Sequence, residues 1–233
     1  MADPFILLWF EGPLQSWGCR SRYWRRETLD FPTRSGVLGL ICCARGASGE
    51  QVEWLDQMAS HGQNVLCFAK KQDAGQQLTD FQMVGNGYDD KDPWQTLLIP
   101  KKADGTKPVG GGAKITYRYY LQGAAFAVIL QVPEALAKET SMALESPRWD
   151  VYLGRKSCAP SDLIYRGTYL TEDQARSGAL AIAGQKGFQL TREVIEGFFP
   201  DRGETMTLSD VPKQFGMHKL YADRQVTVIP CQE

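Results

Sequence analysis

Phe31–Gly46 reads FPTRSGVLGLICCARG, a proline and two hydroxyl residues ahead of an apolar run. Pro32 cannot continue a preceding strand and fixes its own φ. Thr33 and Ser35 follow, and either hydroxyl suits a helix N-cap. The apolar run Val37, Leu38, Leu40, Ile41 then gives a short buried helix over Ser35–Ala44. Gly36 and Gly39, three apart, let another backbone come close. The helix start offers unpaired N–H groups and a partial positive charge, and Arg34 stands beside it. That combination suits an anion such as phosphate. The alternative is a buried helix carrying a surface arginine.

Upstream, Pro4–Phe10 (PFILLWF) reads as a buried first strand, broken by Gly12-Pro13. Leu14–Trp24 is a loop in which Trp17, Tyr23 and Trp24 alternate with Arg20 and Arg22. Aromatics mixed with arginines stack on bases and hold phosphates, and they also cover core edges. Downstream, Ser48 and Gln51 suggest a capping box for a second short helix with Val52, Leu55 and Met58 inward. Asn64–Lys70 is a second strand.

From about Asp80 to Tyr117 the chain is polar and rich in glycine and proline, ending in Gly110-Gly111-Gly112. Loops longer than about 12–15 residues are uncommon in compact domains and are functional or disordered. With Trp94, Leu97, Leu98 and Ile99 flanked by lysines, this one reads as a projecting arm that meets a partner. Ala124–Val132 is the clearest strand of the second half. Pro133 opens a helix to about Glu145. Pro147–Pro160 is a basic loop with Gly154, and Leu163–Leu170 is a further strand. Beyond Thr171 the pattern weakens to short segments at Phe188–Leu190, Val194–Phe199 and Gln225–Ile229. The order strand, helix, strand, arm, strand, helix, loop, strand is that of a ferredoxin-like or RRM-type α+β domain, and such sheets commonly bind single-stranded RNA.

The chain has 233 residues and a net charge of −1, with 43% hydrophobic and 23% charged residues, an ordinary globular composition. The neutral total hides a pattern. Between Cys19 and Arg34, five arginines face Glu27 and Asp30, a local +3. Between Lys101 and Arg118, five bases face Asp104, a local +4. Thr171–Asp210 carries seven acids and four bases, a local −3. The 6 cysteines form no C-x-x-C pair and there are 2 histidines, which argues against a zinc site. Asp3 and Pro4 interrupt any signal peptide. No apolar run reaches the roughly 20 residues needed to span a bilayer. The expectation is a cytoplasmic protein with reduced thiols and no membrane contact.

Motifs for common chemistry fail. Gly154-Arg155-Lys156-Ser157 resembles a P-loop end, but Trp149 and Arg155 stand where a glycine and the lysine belong. Gly85-Asn86-Gly87 lacks the third glycine of a dinucleotide fingerprint. No cofactor is expected. His218, Lys219 and Tyr221 form the one set from which a metal-free ribonuclease site could be assembled.

Four blocks carry a specific resemblance: Gly12-Pro13-Leu14-Gln15-Ser16-Trp17-Gly18, Phe31–Gly39, Thr116-Tyr117-Arg118-Tyr119-Tyr120-Leu121 and Tyr152-Leu153-Gly154-Arg155-Lys156-Ser157-Cys158. Val211-Pro212-Lys213-Gln214-Phe215 is a weaker fifth. Together they resemble the CasD family, the subunits of type I-E CRISPR Cascade complexes that hold the 5′ handle of the crRNA. The resemblance implies a ferredoxin-like RAMP domain over 1–170, with a β-hairpin thumb insertion at about 80–117, and a small β-rich C-terminal extension over 171–233. It implies a non-catalytic subunit that caps the crRNA 5′ handle and contacts CasC and the large subunit CasA; contact with target DNA is left open. Arg34, Arg118, Tyr152, Arg155 and Lys156 are carried over as RNA contacts. Arg20, Arg22, Ser35, Lys114 and Gly154 complete the expected RNA-binding set. Guanidinium groups grip phosphates bidentately, tyrosine stacks on an unpaired base, and Gly154 lets the strand approach. The competing expectation is a metal-independent endoribonuclease that processes pre-crRNA, as in type I-C relatives. Those use a tyrosine, lysine and histidine set, and no adjacent Lys-His occurs near the arm in this chain.

Overall fold

Phe5–Glu11 forms β1 as a continuous apolar run because both of its faces are covered. Ile6, Leu8 and Phe10 enter one core, and Leu7 and Trp9 enter a second on the opposite side of the sheet. The computed structural model describes residues 2–18, 24–70, 77–84, 91, 103–106 and 114–231. After β1 the described elements are β2 (Leu14–Gln15), β3 (Arg25–Arg26), α1 (Arg34–Arg45), α2 (Val52–Met58), β4 (Gln63–Ala69), β5 (Gln77–Val84), β6 (Lys114–Gln122) and β7 (Ala125–Gln131). They continue with α3 (Glu134–Glu145), β8 (Tyr165–Tyr169), α4 (Glu172–Gln185), β9 (Gln189–Glu196), β10 (Glu204–Gln214) and β11 (Leu220–Pro230).

The fold is mixed α/β and mostly antiparallel. Its large sheet has seven strands in the order β10-β11-β9-β4-β7-β1-β8. Every neighbouring pair is antiparallel. The first core joins the inward residues of α1, α2 and α3 to Val65, Cys67, Phe126, Val128 and Leu130 of the sheet. The second lies under α4, where Ala175, Ala179 and Ala183 pack near Leu66, Phe68, Ala127 and Ile129. Trp9 meets Phe68 and Phe188 there, with ring centroids 5.3 and 6.0 Å away. A smaller sheet runs β2-β6-β3, with β5 pairing along β6.

The flanks of the expected arm are an antiparallel ribbon, from Gln77 opposite Leu121 to Val84 opposite Lys114. The rest of the arm (85–90, 92–102 and 107–113) lies outside the described residues, as do Arg20 and Arg22.

Several local expectations are corrected. Ser48 and Gln51 make no capping box; Gln51 has φ +57° and its side chain donates to Ser48 O at 2.6 Å. Only Gly36 of the glycine pair meets a close neighbour, the Trp17 ring, where a Cβ would come within 2.9 Å. Gly39 faces open space. The C-terminal third is far more regular than its sequence pattern. Helix α4, capped by Thr171 accepting from Gln174 N at 3.3 Å, and three long strands replace the expected short segments. Strand β9 pairs with β4, so these strands extend the same sheet.

Candidate nucleic-acid interface

Helix α1 starts where the sequence placed it, and its cap is Thr33, whose hydroxyl accepts from Gly36 N at 3.2 Å. Gly46 ends it in the left-handed region at φ +65°. The anion at the helix N-terminus comes from within the chain. Asp210 of β10 accepts from Arg34 N at 2.7 Å, and Arg224 of β11 grips the same carboxylate through Nε at 2.7 Å and Nη2 at 2.9 Å. The Arg34 side chain is 1% exposed. Its Nη1 donates to Glu196 of β9 at 2.9 Å, and its Nη2 donates to Met58 O at 2.7 Å and to the carbonyl of His61. Arg224 lies 3.6 Å from Glu196, closing a ring of four charges around the α1 N-terminus. Burial pulls the Arg34 guanidinium below its ordinary value, and Glu196 opposes that pull. Arg34 is therefore corrected from an RNA contact to a brace that ties α1 and the end of α2 to the C-terminal strands.

Beside this ring, Gly154, Arg155, Ser35, Arg26, Lys219 and Tyr221 line an open groove of about 390 Å³. Arg26, Arg155 and Lys219 are the charged side chains among its described lining residues, and no carboxylate accompanies them. Arg155 is held in place before any ligand arrives. Its Nη2 donates to Arg26 O at 2.7 Å, and its guanidinium carbon lies 4.7 Å from the Tyr120 ring centroid. Its Nη1 is buried without a partner among the described residues. The loop that carries Arg155 is closed by Leu153 N to Cys158 O and Cys158 N to Arg155 O, both 2.8 Å. Gly154 sits at φ +90°, and a Cβ there would lie 1.8 Å from Ser16 O.

The loop divides the expected set. Gly154 and Arg155 face the groove, whereas Tyr152 and Lys156 line a separate hollow of about 530 Å³ with Trp149 and Asp150. Arg118, partly exposed on β6, is paired in register with Arg26 on one side and Asp80 on the other. Lys114 lies on β6, and its side chain is outside the described residues. A third hollow of about 440 Å³ adjoins the groove, sharing Gly18, Ser35 and Tyr221 with it.

The expected RNA-binding set omits Arg26, Phe215, Lys219 and Tyr221, the last two being named only with His218 as a conceivable ribonuclease set. The cluster of arginines before Phe31 and the VPKQF block were the signals that pointed near them. Lys219 and Tyr221 line the groove, whereas His218 is exposed and is absent from its lining. Burial pushes the Tyr221 phenol up, the wrong direction for a base. Burial also pushes the Cys67 thiol up to about 12 and the Cys42 thiol up to about 11, so neither is a nucleophile at neutral pH.

Similarity to known proteins sets the class, that of the CRISPR-associated proteins. Residues 5–226 match the family described as CRISPR-associated protein (Cas_Cas5), and the chain belongs to that family. It is 29% identical over 228 residues to the Escherichia coli (strain K12) CRISPR system Cascade subunit CasD, covering 93% of this chain and 94% of that protein. Among solved structures it resembles a chain of a CRISPR RNA-guided surveillance complex, with a TM-score of 0.73, 27% identity and coverage of 97% and 89%. A crystal structure of a Cas protein gives a TM-score of 0.62 at 26% identity, with coverage of 97% and 94%.

Proposed function

We propose that this chain is a CasD-type subunit of a type I-E CRISPR RNA-guided surveillance complex, and that it binds and caps the crRNA 5′ handle without cleaving it. The observation that carries the reading is the groove with Arg26, Arg155 and Lys219 and no described acid, placed where the YLGRKSC loop meets α1. A phosphodiester strand supplies acceptors for the Arg155 and Lys219 side chains that line the groove, and Tyr221 offers a ring on which an unpaired base can stack. Arg118, Tyr152 and Lys156 extend the contact beyond the groove.

The order β4-β7-β1-β8, with two crossing helices, supports a ferredoxin-like RAMP core over 1–170. The β5–β6 ribbon supports a thumb at 80–117, and α4 with β9–β11 forms the extension over 171–233. CasC and CasA are the protein partners of this reading, in the cytoplasm. Endoribonuclease activity is disfavoured because His218 is absent from the groove lining and the Tyr221 phenol is pushed up rather than down.

The test is a salt titration of binding to a labelled 5′-handle RNA. Wild type binds the handle in preference to a scrambled strand. Arg155→Ala and Lys219→Ala each flatten the dependence of log K on log salt by about 0.7, the loss of one single-strand phosphate contact. Unchanged slopes in both variants would remove the groove from the account.

A further inference from the structure

The hollow beside the groove has a different chemistry from the groove itself. Its described walls are the segment Met206–Asp210 of β10, with Leu29, Gly18, Ser35 and Tyr221. Strand β10 is the outer described strand of the seven-stranded sheet, so one side of its backbone has N–H and C=O groups that no other described strand takes. Met206 and Leu29 give the hollow apolar surface, and Thr207 adds a hydroxyl. The carboxylate in its wall, Asp210, is neutralised by Arg224 and by the α1 amide, so it does not repel a nearby phosphate. Tyr221 is 43% exposed and belongs to both spaces, a ring standing between a basic channel and an uncharged recess.

Resting on the RNA-binding reading above, we propose that this recess is a nucleobase pocket. One unpaired base of the bound strand turns out of the groove, stacks on Tyr221, and presents its hydrogen-bonding edge to the outward backbone of β10. The phosphates flanking that nucleotide stay on Arg155 and Lys219. The groove then supplies affinity for any RNA strand, and β10 supplies discrimination at one position. The occupant follows from continuity with the basic groove, from a volume of about 440 Å³, and from donors and acceptors that no other described strand uses. A partner peptide adding a strand to β10 is the competing occupant.

The test uses the full chain and a set of handle RNAs, each with one abasic nucleotide. Wild type loses about tenfold in affinity for one abasic position, within the range for a single base–aromatic stack, and little at the others. In Tyr221→Ala that penalty disappears, in Tyr221→Phe it stays, and the salt slope matches wild type in both. A 4-thiouridine at the sensitive position photo-crosslinks to β10 or Tyr221. Handle binding without sensitivity to any abasic position overturns the base pocket and leaves the groove standing. A penalty that survives Tyr221→Ala, or a crosslink elsewhere, also overturns the pocket. Absence of handle binding overturns the groove and the pocket together.

Discussion

Arg34→Met separates the two roles that an arginine at this helix start can play. The methionine keeps the aliphatic body and removes the guanidinium. Glu196 loses its 2.9 Å partner, and the carbonyls of Met58 and His61 lose their donor. Removing one partner of a buried ion pair costs about 3–5 kcal/mol. Glu196 is 28% exposed and keeps Arg224 at 3.6 Å, which pulls the estimate toward the lower end. The unpaired carbonyls push it back, at about 1–3 kcal/mol for a buried polar group left without a partner. A net loss of about 3–5 kcal/mol follows, a large share of the roughly 5–15 kcal/mol that holds a domain. Urea unfolding followed by tryptophan fluorescence reads this as a midpoint lowered by about 1–2 M. Handle-RNA binding by the folded variant at low temperature keeps the wild-type salt slope, because no phosphate contact is lost. A variant with the wild-type urea midpoint and a salt slope flattened by about 0.7 would refute the reasoning and return Arg34 to the RNA surface.

Other perturbations follow from the same geometry. Gly154→Ala forces a Cβ to within 1.8 Å of the Ser16 carbonyl at φ +90°, so the loop must shift and carry Arg155 off Tyr120. Handle affinity then falls more than tenfold, as measured by fluorescence anisotropy, while the urea midpoint moves by less than in Arg34→Met. Asp162, hydrogen-bonded to Lys186 and Arg166, has its carboxyl lowered from 3.8 to about 2, chiefly by the Lys186 hydrogen bond. Its contribution to stability is full above pH about 4 and is lost as pH falls toward about 2. Unfolding midpoints of wild type and Asp162→Asn therefore differ at pH 6 and converge at pH 2.

Much of the core was legible because its signals are local. PFILLWF is a strand buried on both faces, and FPTRSGVLGLICCARG carries its own cap in Thr33 and its own stop in Gly46. The C-terminal third was not, for physical reasons. The buried stripe of α4 is Ala175, Ala179 and Ala183, residues too small to register as a hydrophobic period. Strand β10 is interrupted by register shifts near Leu208–Val211 and Pro212–Gln214, which breaks the alternation that marks a strand. Arg34 was misplaced because its partner Glu196 is 162 residues away, and nothing near Arg34 in the chain announces a buried carboxylate. The motif YLGRKSC named the right loop. It could not show that successive residues face opposite hollows, which the tight turn at Gly154 decides. The groove residues Arg26, Lys219 and Tyr221 come from two distant segments, β3 and the β10–β11 hairpin, brought together by the fold.

The most direct measurement is to incubate the purified chain, without metal, with a labelled type I-E repeat RNA, and to follow binding and strand integrity together. The expected result is saturable binding to the 5′-handle segment, weakened in Arg155→Ala, with the RNA intact on a denaturing gel. Specific cleavage abolished by His218→Ala or Tyr221→Phe, or handle binding indifferent to Arg155→Ala, would contradict it.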